Sequence, residues 1–297
     1  MHILISGSSG LIGRALSRTL QQQDHSLYYL IRGKGTQSHH IYWNPDTLEI
    51  DSQKIEGLDA IIHLGGENIS GLRWTRQKKA RIRNSRIHGT QFLSASILKL
   101  KNPPKIFLCA SAIGYYGDRS DQILTEKDGP GIGFLAQVCQ DWEKACDPLR
   151  QHGIRVANLR FGMVLSPQGG ALPKMCLPFK DYLGGPIANG KQYMSWISIH
   201  DLCSAIQFIL SDPNIRGPIN CVSPNPVTNY VFTKTLGRVL DRPSFISLPA
   251  WLLKCMMGEM AQDLLLSSTR AVPQKLLDHG FTFQFPNLEE ALSNILS

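Results

Sequence analysis

No apolar run in this 297-residue chain approaches the ~20 consecutive residues needed to cross a bilayer. The first residues lack a basic stretch with a cleavage site, and their apolar side chains already read as a strand. A cytoplasmic location is the expectation. Metal- and disulfide-type cysteine spacing is missing as well. The seven cysteines (Cys109, Cys139, Cys146, Cys176, Cys203, Cys221 and Cys255) are scattered through apolar segments with no Cys-x-x-Cys pair. Such an odd, unclustered set speaks for reduced thiols packed as small hydrophobes. The nine histidines show no metal-ligand spacing either. Internal repeats and low-complexity segments are lacking. With 42% hydrophobic and 18% charged residues the composition is that of an ordinary globular protein, long enough for one large α/β domain with a smaller lobe.

Acidic residues are the scarcer charge, 23 against 31 Lys and Arg, for a net charge of +8. Much of the excess lies in Arg73–Arg86, which contains no carboxylate. A basic helix of this kind suits nucleic-acid phosphates, but solvated basic helices are common and a polyphosphate cofactor also gains from local positive charge. Nucleic-acid binding is therefore the weaker expectation.

The most informative stretch is the first. The strand pattern Met1–Ser6 runs into Gly7-Ser8-Ser9-Gly10-Leu11-Ile12-Gly13, after which Leu11, Ile12, Ala15, Leu16 and Leu20 repeat at helical spacing. Gly7 permits a tight turn, Gly10 lets backbone approach a pyrophosphate, and Gly13 lets helix pack on strand. The helix N-terminus adds unpaired N–H groups and the positive end of a dipole. At the end of the second strand, Leu27–Ile31, an NAD-specific fold carries Asp or Glu for the adenosine ribose. Here Arg32-Gly33-Lys34 follows instead. A carboxylate repels a 2′-phosphate, whereas a guanidinium holds one with paired, charge-assisted bonds. The cofactor expected is NADP(H).

Strand and helix patterns alternate onward, which implies an α/β fold with a doubly wound parallel sheet. Gly35–Gly57 is a polar stretch, Asp59–Leu64 a strand, and Gly89–Leu100 helical, ended by Pro103-Pro104. Lys105–Ala110 and Arg155–Arg160 are strands flanking a helix from about Phe134 to Gln151. Asp201 reads as the N-cap of a helix over 202–210. The last ~70 residues look helical apart from the alternating Phe281–Phe285. Residues 1–165, with return segments at about 196–223, form the expected Rossmann domain; 166–195 and 224–297 form a mixed substrate and C-terminal lobe.

Several motifs are more distinctive: Gly66-Glu67-Asn68-Ile69, Arg73-Trp74-Thr75, Ser111-Ala112-Ile113-Gly114-Tyr115-Tyr116-Gly117, Leu183–Ile187, Trp196–Asp201 and Gly280–Pro286. Together they resemble the atypical extended short-chain dehydrogenases called the epimerase family, similar to human short-chain dehydrogenase family 39 and to plastid-division homologues. The resemblance covers the whole chain. It implies an NADP(H)-binding oxidoreductase or epimerase acting on a small polar substrate, which a sugar nucleotide would satisfy. It places Gly7, Gly10, Leu11 and Ile12 at the pyrophosphate, Arg32 at the 2′-phosphate, and Leu64 and Gly65 on the adenine side. It also assigns cofactor contacts to Arg86 and Arg160, and more weakly to Arg81.

One departure is chemical. The superfamily's Tyr-x-x-x-Lys pair falls where this chain has Phe134-Leu135-Ala136-Gln137-Val138. Phenylalanine has no proton to transfer. The literal match Tyr230–Lys234 is out of order and reads as chance. The usual serine falls near Ala112, with Ser111 one residue off. Ser111 and Tyr115 are the remaining hydroxyls, and a capping hydroxyl and a cleft-wall aromatic are the plainer readings of both. The catalytic residues are left unassigned, and a cofactor-binding sensor with little turnover is the alternative function.

Overall fold

The computed structural model describes residues 1–297 apart from Lys34, Thr36 and Leu72. Eight strands make its central sheet: β1 (His2–Ser6), β2 (Ser26–Ile31), β3 (His40–Asn44), β4 (Glu49–Ile50), β5 (Ala60–His63), β6 (Ile106–Ala112), β7 (Arg155–Phe161) and β8 (Gly217–Cys221). Their order is β8-β7-β6-β5-β1-β2-β3-β4, with every neighbouring pair parallel except β3 with β4. Parallel strands read as nearly continuous apolar runs because helices cover both of their faces. Alternation divides the two covers. Ile3, Ile5 and Ile62 pack with α1 (Leu11–Gln21) and a helix over Ile199–Ser211, while Leu4, Ile61 and Phe107 face the other way. That second face is covered by α2 (Arg76–Ile97), α3 (Phe134–Lys144) and α4 (Asp147–Gln151).

A separate apolar cluster holds the second lobe. Leu172, Phe179, Trp196, Phe232, Leu236 and Leu292 gather around α5 (Leu172–Lys180), α7 (Asn229–Leu240) and the C-terminal helix Leu288–Leu296, while the helix over Ile199–Ser211, α6, stays with the central sheet. The remaining helix that matters here is α8 (Ala250–Met257). Among the described residues no helix is long and apolar enough to cross a membrane.

Four expectations need correction. Phe134–Gln151 is two helices, because Pro148 has no N–H to continue the ladder from α3. The polar stretch Gly35–Gly57 contains β3 and β4, with Ile41 and Trp43 turned inward at alternate positions. The helix expected over 202–210 starts at Ile199 with Ser198 as its cap, whose Oγ accepts from the Asp201 N–H at 2.9 Å. Asp201 is buried and caps something else: its carboxylate accepts from the backbone N–H groups of Gln284 (2.7 Å) and Phe285 (3.1 Å). Phe281–Phe285 accordingly runs as an irregular tail, with Phe281 and Phe283 buried, and forms no strand.

Candidate functional site

β1 and β5 are neighbours, yet the chain leaves them toward opposite halves of the sheet. A crevice opens at the carboxyl ends of strands where the order reverses in this way. The glycine-rich turn lies there. Gly7 has φ +70°, and a Cβ on it would sit 2.9 Å from the carbonyl of Leu64. A Cβ at Gly13 would come 2.3 Å from the Gly7 oxygen, so strand and helix touch only because that atom is missing. Gly10 differs: its Cβ would meet only the Gly7 oxygen, at 3.2 Å. The Gly10 N–H closes the turn onto Gly7 at 3.0 Å. Nothing among the described residues accepts from the N–H groups of Leu11, Ile12 or Gly13. Across the crevice Leu11 packs against the Gly169-Gly170 turn of the second lobe.

Arg32 follows the carboxyl end of β2, exposed and without a hydrogen-bond or ion-pair partner among the described residues. Lys34 lies outside the described residues. Leu64 and Gly65 are held from below. Both of their N–H groups donate to Ser6 Oγ at 3.1 Å, and that oxygen lies 2.6 Å from His63 Nδ1. His63 is fully buried beside Trp43 and Phe107, and burial lowers its pKa to about 4.

The basic stretch is largely paired. Lys78 and Arg81 meet Glu67, Lys79 meets Glu259, and Arg83 meets Asp141. Arg86 is half-buried and braces the loop after β5. Its Nη1 donates to the carbonyls of Glu67 (3.0 Å) and Ile82 (3.1 Å), and its guanidinium lies over Trp142.

Farther along the sheet, Ser111 on β6 and Arg160 on β7 are register partners at the carboxyl ends. Both reach Glu143 of α3. Ser111 Oγ donates to it at 2.7 Å, and Arg160 donates twice at 2.8 Å. Arg160 also donates to the Tyr116 hydroxyl at 2.9 Å, and its guanidinium sits 3.5 Å from the centre of the Tyr115 ring. Burial works against the charge on Arg160, but Glu143 and Tyr116 outweigh it and hold the guanidinium fully charged. Tyr116 is completely buried and bonds Asn220 Oδ1 at 2.7 Å; burial pushes its phenol up to about 12.

Phe134 and Val138 occupy the positions of the missing pair. Val138 is buried. The Phe134 ring meets Trp74 edge-on at 5.5 Å and lies under the Lys79 ammonium, in an apolar cluster with Met257 and Met260. Asp263 adjoins it, near the Leu135 N–H at the start of α3. Its Oδ2 is buried with no partner among the described residues, and burial, then the Glu259 charge, raise its pKa.

The structure thus brings Gly7, Gly10, Leu11, Ile12, Leu64 and Gly65 to one crevice, with Arg32 at the neighbouring strand end. Arg86 and Arg160 have guanidinium bonds within the protein, to backbone carbonyls and to Glu143 and Tyr116 respectively. Glu143, Asn220 and Asp263 were not anticipated. Glu143 had a signal, a charge at helical spacing from the buried Ala136 and Cys139.

Residues 3–221 match the family described as NAD-dependent epimerase/dehydratase, and residues 248–295 match a domain of unknown function, DUF1731. An epimerase family protein of Mycobacterium tuberculosis is 42% identical over 290 residues, covering 98% of this chain and 96% of its own. The crystal structure of human epimerase family protein SDR39U1 (isoform 2) with NADPH is 31% identical, with a TM-score of 0.90 over 99% of both chains. A nucleoside-diphosphate sugar epimerase from Corynebacterium glutamicum is 35% identical, with a TM-score of 0.83 over all of this chain and 58% of that one. With sheet order, crevice and these likenesses in agreement, the chain belongs to the NAD-dependent epimerase/dehydratase family.

Proposed function

We propose that the protein binds NADP(H) and acts on a small polar substrate, a sugar nucleotide by class, as a cytoplasmic oxidoreductase or epimerase. The observation that carries the cofactor is Arg32, exposed and without a partner among the described residues at the end of β2, where an NAD-specific fold has a carboxylate. The turn fits a pyrophosphate on the same reading. Space remains beside Gly10 that a side chain would fill, and three N–H groups of α1 await an acceptor. The NADPH in the human structure and the substrate class named for the Corynebacterium protein support this reading.

When bound, NADPH supplies a hydride. The protein's part is to hold and orient. The N–H groups of Leu11 and Ile12 take the phosphates, Arg32 takes the 2′-phosphate, and Ser111, Glu143 and Arg160 stiffen the floor at the ends of β6 and β7. Phe134 moves no proton, which favours the second reading, a cofactor-binding sensor with slow turnover. The carboxylate partners of Lys78, Lys79, Arg81 and Arg83 support a protein without a nucleic-acid role.

Calorimetric titration with NADPH and NADH, on the wild type and on Arg32→Ala, tests the cofactor. A charge-assisted contact of roughly 1.5–3 kcal/mol corresponds to about 10- to 100-fold preference for NADPH, lost in the variant. Equal wild-type affinities overturn it. Brisk NADPH oxidation with any carbonyl or sugar-nucleotide substrate removes the sensor reading.

A further inference from the structure

The second lobe leaves an unusual amount of apolar surface uncovered, and a strand edge runs through it. Residues 244–248 are extended and lie beside 184–188. The Ile246 N–H donates to the Gly184 carbonyl at 3.1 Å, the Leu248 N–H to the Pro186 carbonyl at 2.9 Å, and the Ala188 N–H to the Leu248 carbonyl at 2.9 Å. Residues 246 and 248 are therefore paired inward. Phe245 and Ser247 present their backbone N–H and carbonyl groups on the opposite edge, where no described residue pairs with them. Such an edge is a template for another strand unless charge, proline or a covering element blunts it.

Pro243 and Pro249 bound this edge and have no N–H, so it offers a short template, the N–H and carbonyl groups of Phe245 and Ser247, set among exposed apolar side chains. Phe245 is 71% exposed and Trp251, at the start of α8, is 69% exposed. Tyr182, Leu183, Tyr230 and Ile246 are each at least 40% exposed. Contacts tie them to one surface: Arg242 lies over the Tyr182 ring, Gly184 bonds Ile246, and the Tyr230 N–H reaches the carbonyl of Gly190 in the same loop. Taking ~150–250 Å² for a whole aromatic side chain, these six leave roughly 700 Å² uncovered. A stable interface takes about 800 Å² from each partner.

We propose that this surface joins two copies of the chain about a two-fold axis, with residues 244–248 of each pairing antiparallel across it. Antiparallel self-pairing centred on Ile246 sets Phe245 of one copy opposite Ser247 of the other, so both open edges are satisfied by the same bonds. A two-fold contact must be self-complementary, and the rim carries both signs: Lys180 beside Asp181, and Asp241 beside Arg242. Like charges alone would oppose a second copy; this mixture does not. The central sheet and the crevice lie outside the contact, so assembly is independent of cofactor.

Sedimentation velocity and light scattering on the full chain, without cofactor, decide the matter. At tens of micromolar the wild type should have twice the 33.1 kDa chain mass. Phe245→Lys, which places an ammonium group on each side of the axis, should give the single-chain mass, and Trp251→Ser should weaken dimerisation by at least ~10-fold. Both side chains are exposed, so circular dichroism and melting should match the wild type. A wild type that remains monomeric overturns the proposal, and its retention on anionic vesicles would assign the patch to a membrane surface instead. A dimer insensitive to both substitutions also overturns it.

Discussion

The Ser6 hydroxyl and His63 Nδ1 lie 2.6 Å apart at the ends of adjacent strands, and the bond between them has one direction. Ser6 Oγ already accepts from the N–H groups of Leu64 and Gly65. Its own proton must therefore go to Nδ1, which makes His63 the Nε2–H tautomer and keeps it neutral. A buried, uncharged imidazole thus supports the backbone on which the adenine side of the crevice is built.

Acid should find this residue first. The folded pKa is about 4 against an ordinary 6.5, so as pH falls below 6.5 the unfolded chain takes up the proton before the folded one does. Stability should fall through that window, by up to about 3 kcal/mol, and level off below pH 4. His63→Gln removes the titration and should flatten the slope. Urea unfolding of both proteins across this range is the check; parallel slopes would show that His63 charges freely.

Gly10→Val should abolish NADPH binding while the far-ultraviolet circular dichroism stays native. The protein itself offers a Cβ at Gly10 only one close neighbour, at 3.2 Å, so the branched side chain intrudes mainly on space where a phosphate would sit. Unchanged NADPH affinity in a folded variant would remove the turn from the site.

Glu143→Gln should cost roughly 3–5 kcal/mol of stability, because it leaves the buried guanidinium of Arg160 without its counter-charge. Chemical denaturation measures this. A loss under about 1 kcal/mol would mean that Tyr116 and solvent suffice for Arg160.

Asp263→Asn should melt higher than the wild type near neutral pH. Burial and Glu259 raise the folded pKa of Asp263, so its contribution is intact in acid and is lost as pH rises through that raised value. Asparagine cannot ionise and keeps the size and shape of the side chain. The difference should vanish toward the ordinary aspartate value of 3.8. A variant that melts lower at neutral pH would show that the ionised carboxylate is favoured at this site.

Local order was what the residues disclosed. A strand, three glycines and an amphipathic helix within Met1–Gln21 define a turn without help from the remainder of the chain. Arg32 was legible for the same reason, being one position past an apolar strand. Glu143 was harder, because its meaning depends on Ser111 and Arg160 from two other strands. Asp263 carried no signal at all: its neighbour Leu135 lies far back in the chain, and only the folded second lobe brings the two together. β3 and β4 escaped because inward Ile41 and Trp43 are diluted among polar neighbours.

Asp201 grips the tail through the peptide N–H groups of residues 284 and 285, not through their side chains. Any amino acid with an N–H satisfies the carboxylate; Gln284 is exposed, whereas Phe285 also packs its ring on the second-lobe cluster and beside His200. Proline alone is barred from both. What this carboxylate fixes, from over eighty residues upstream, is the path of the backbone, while the phenylalanines of the tail fix which face of that path turns inward.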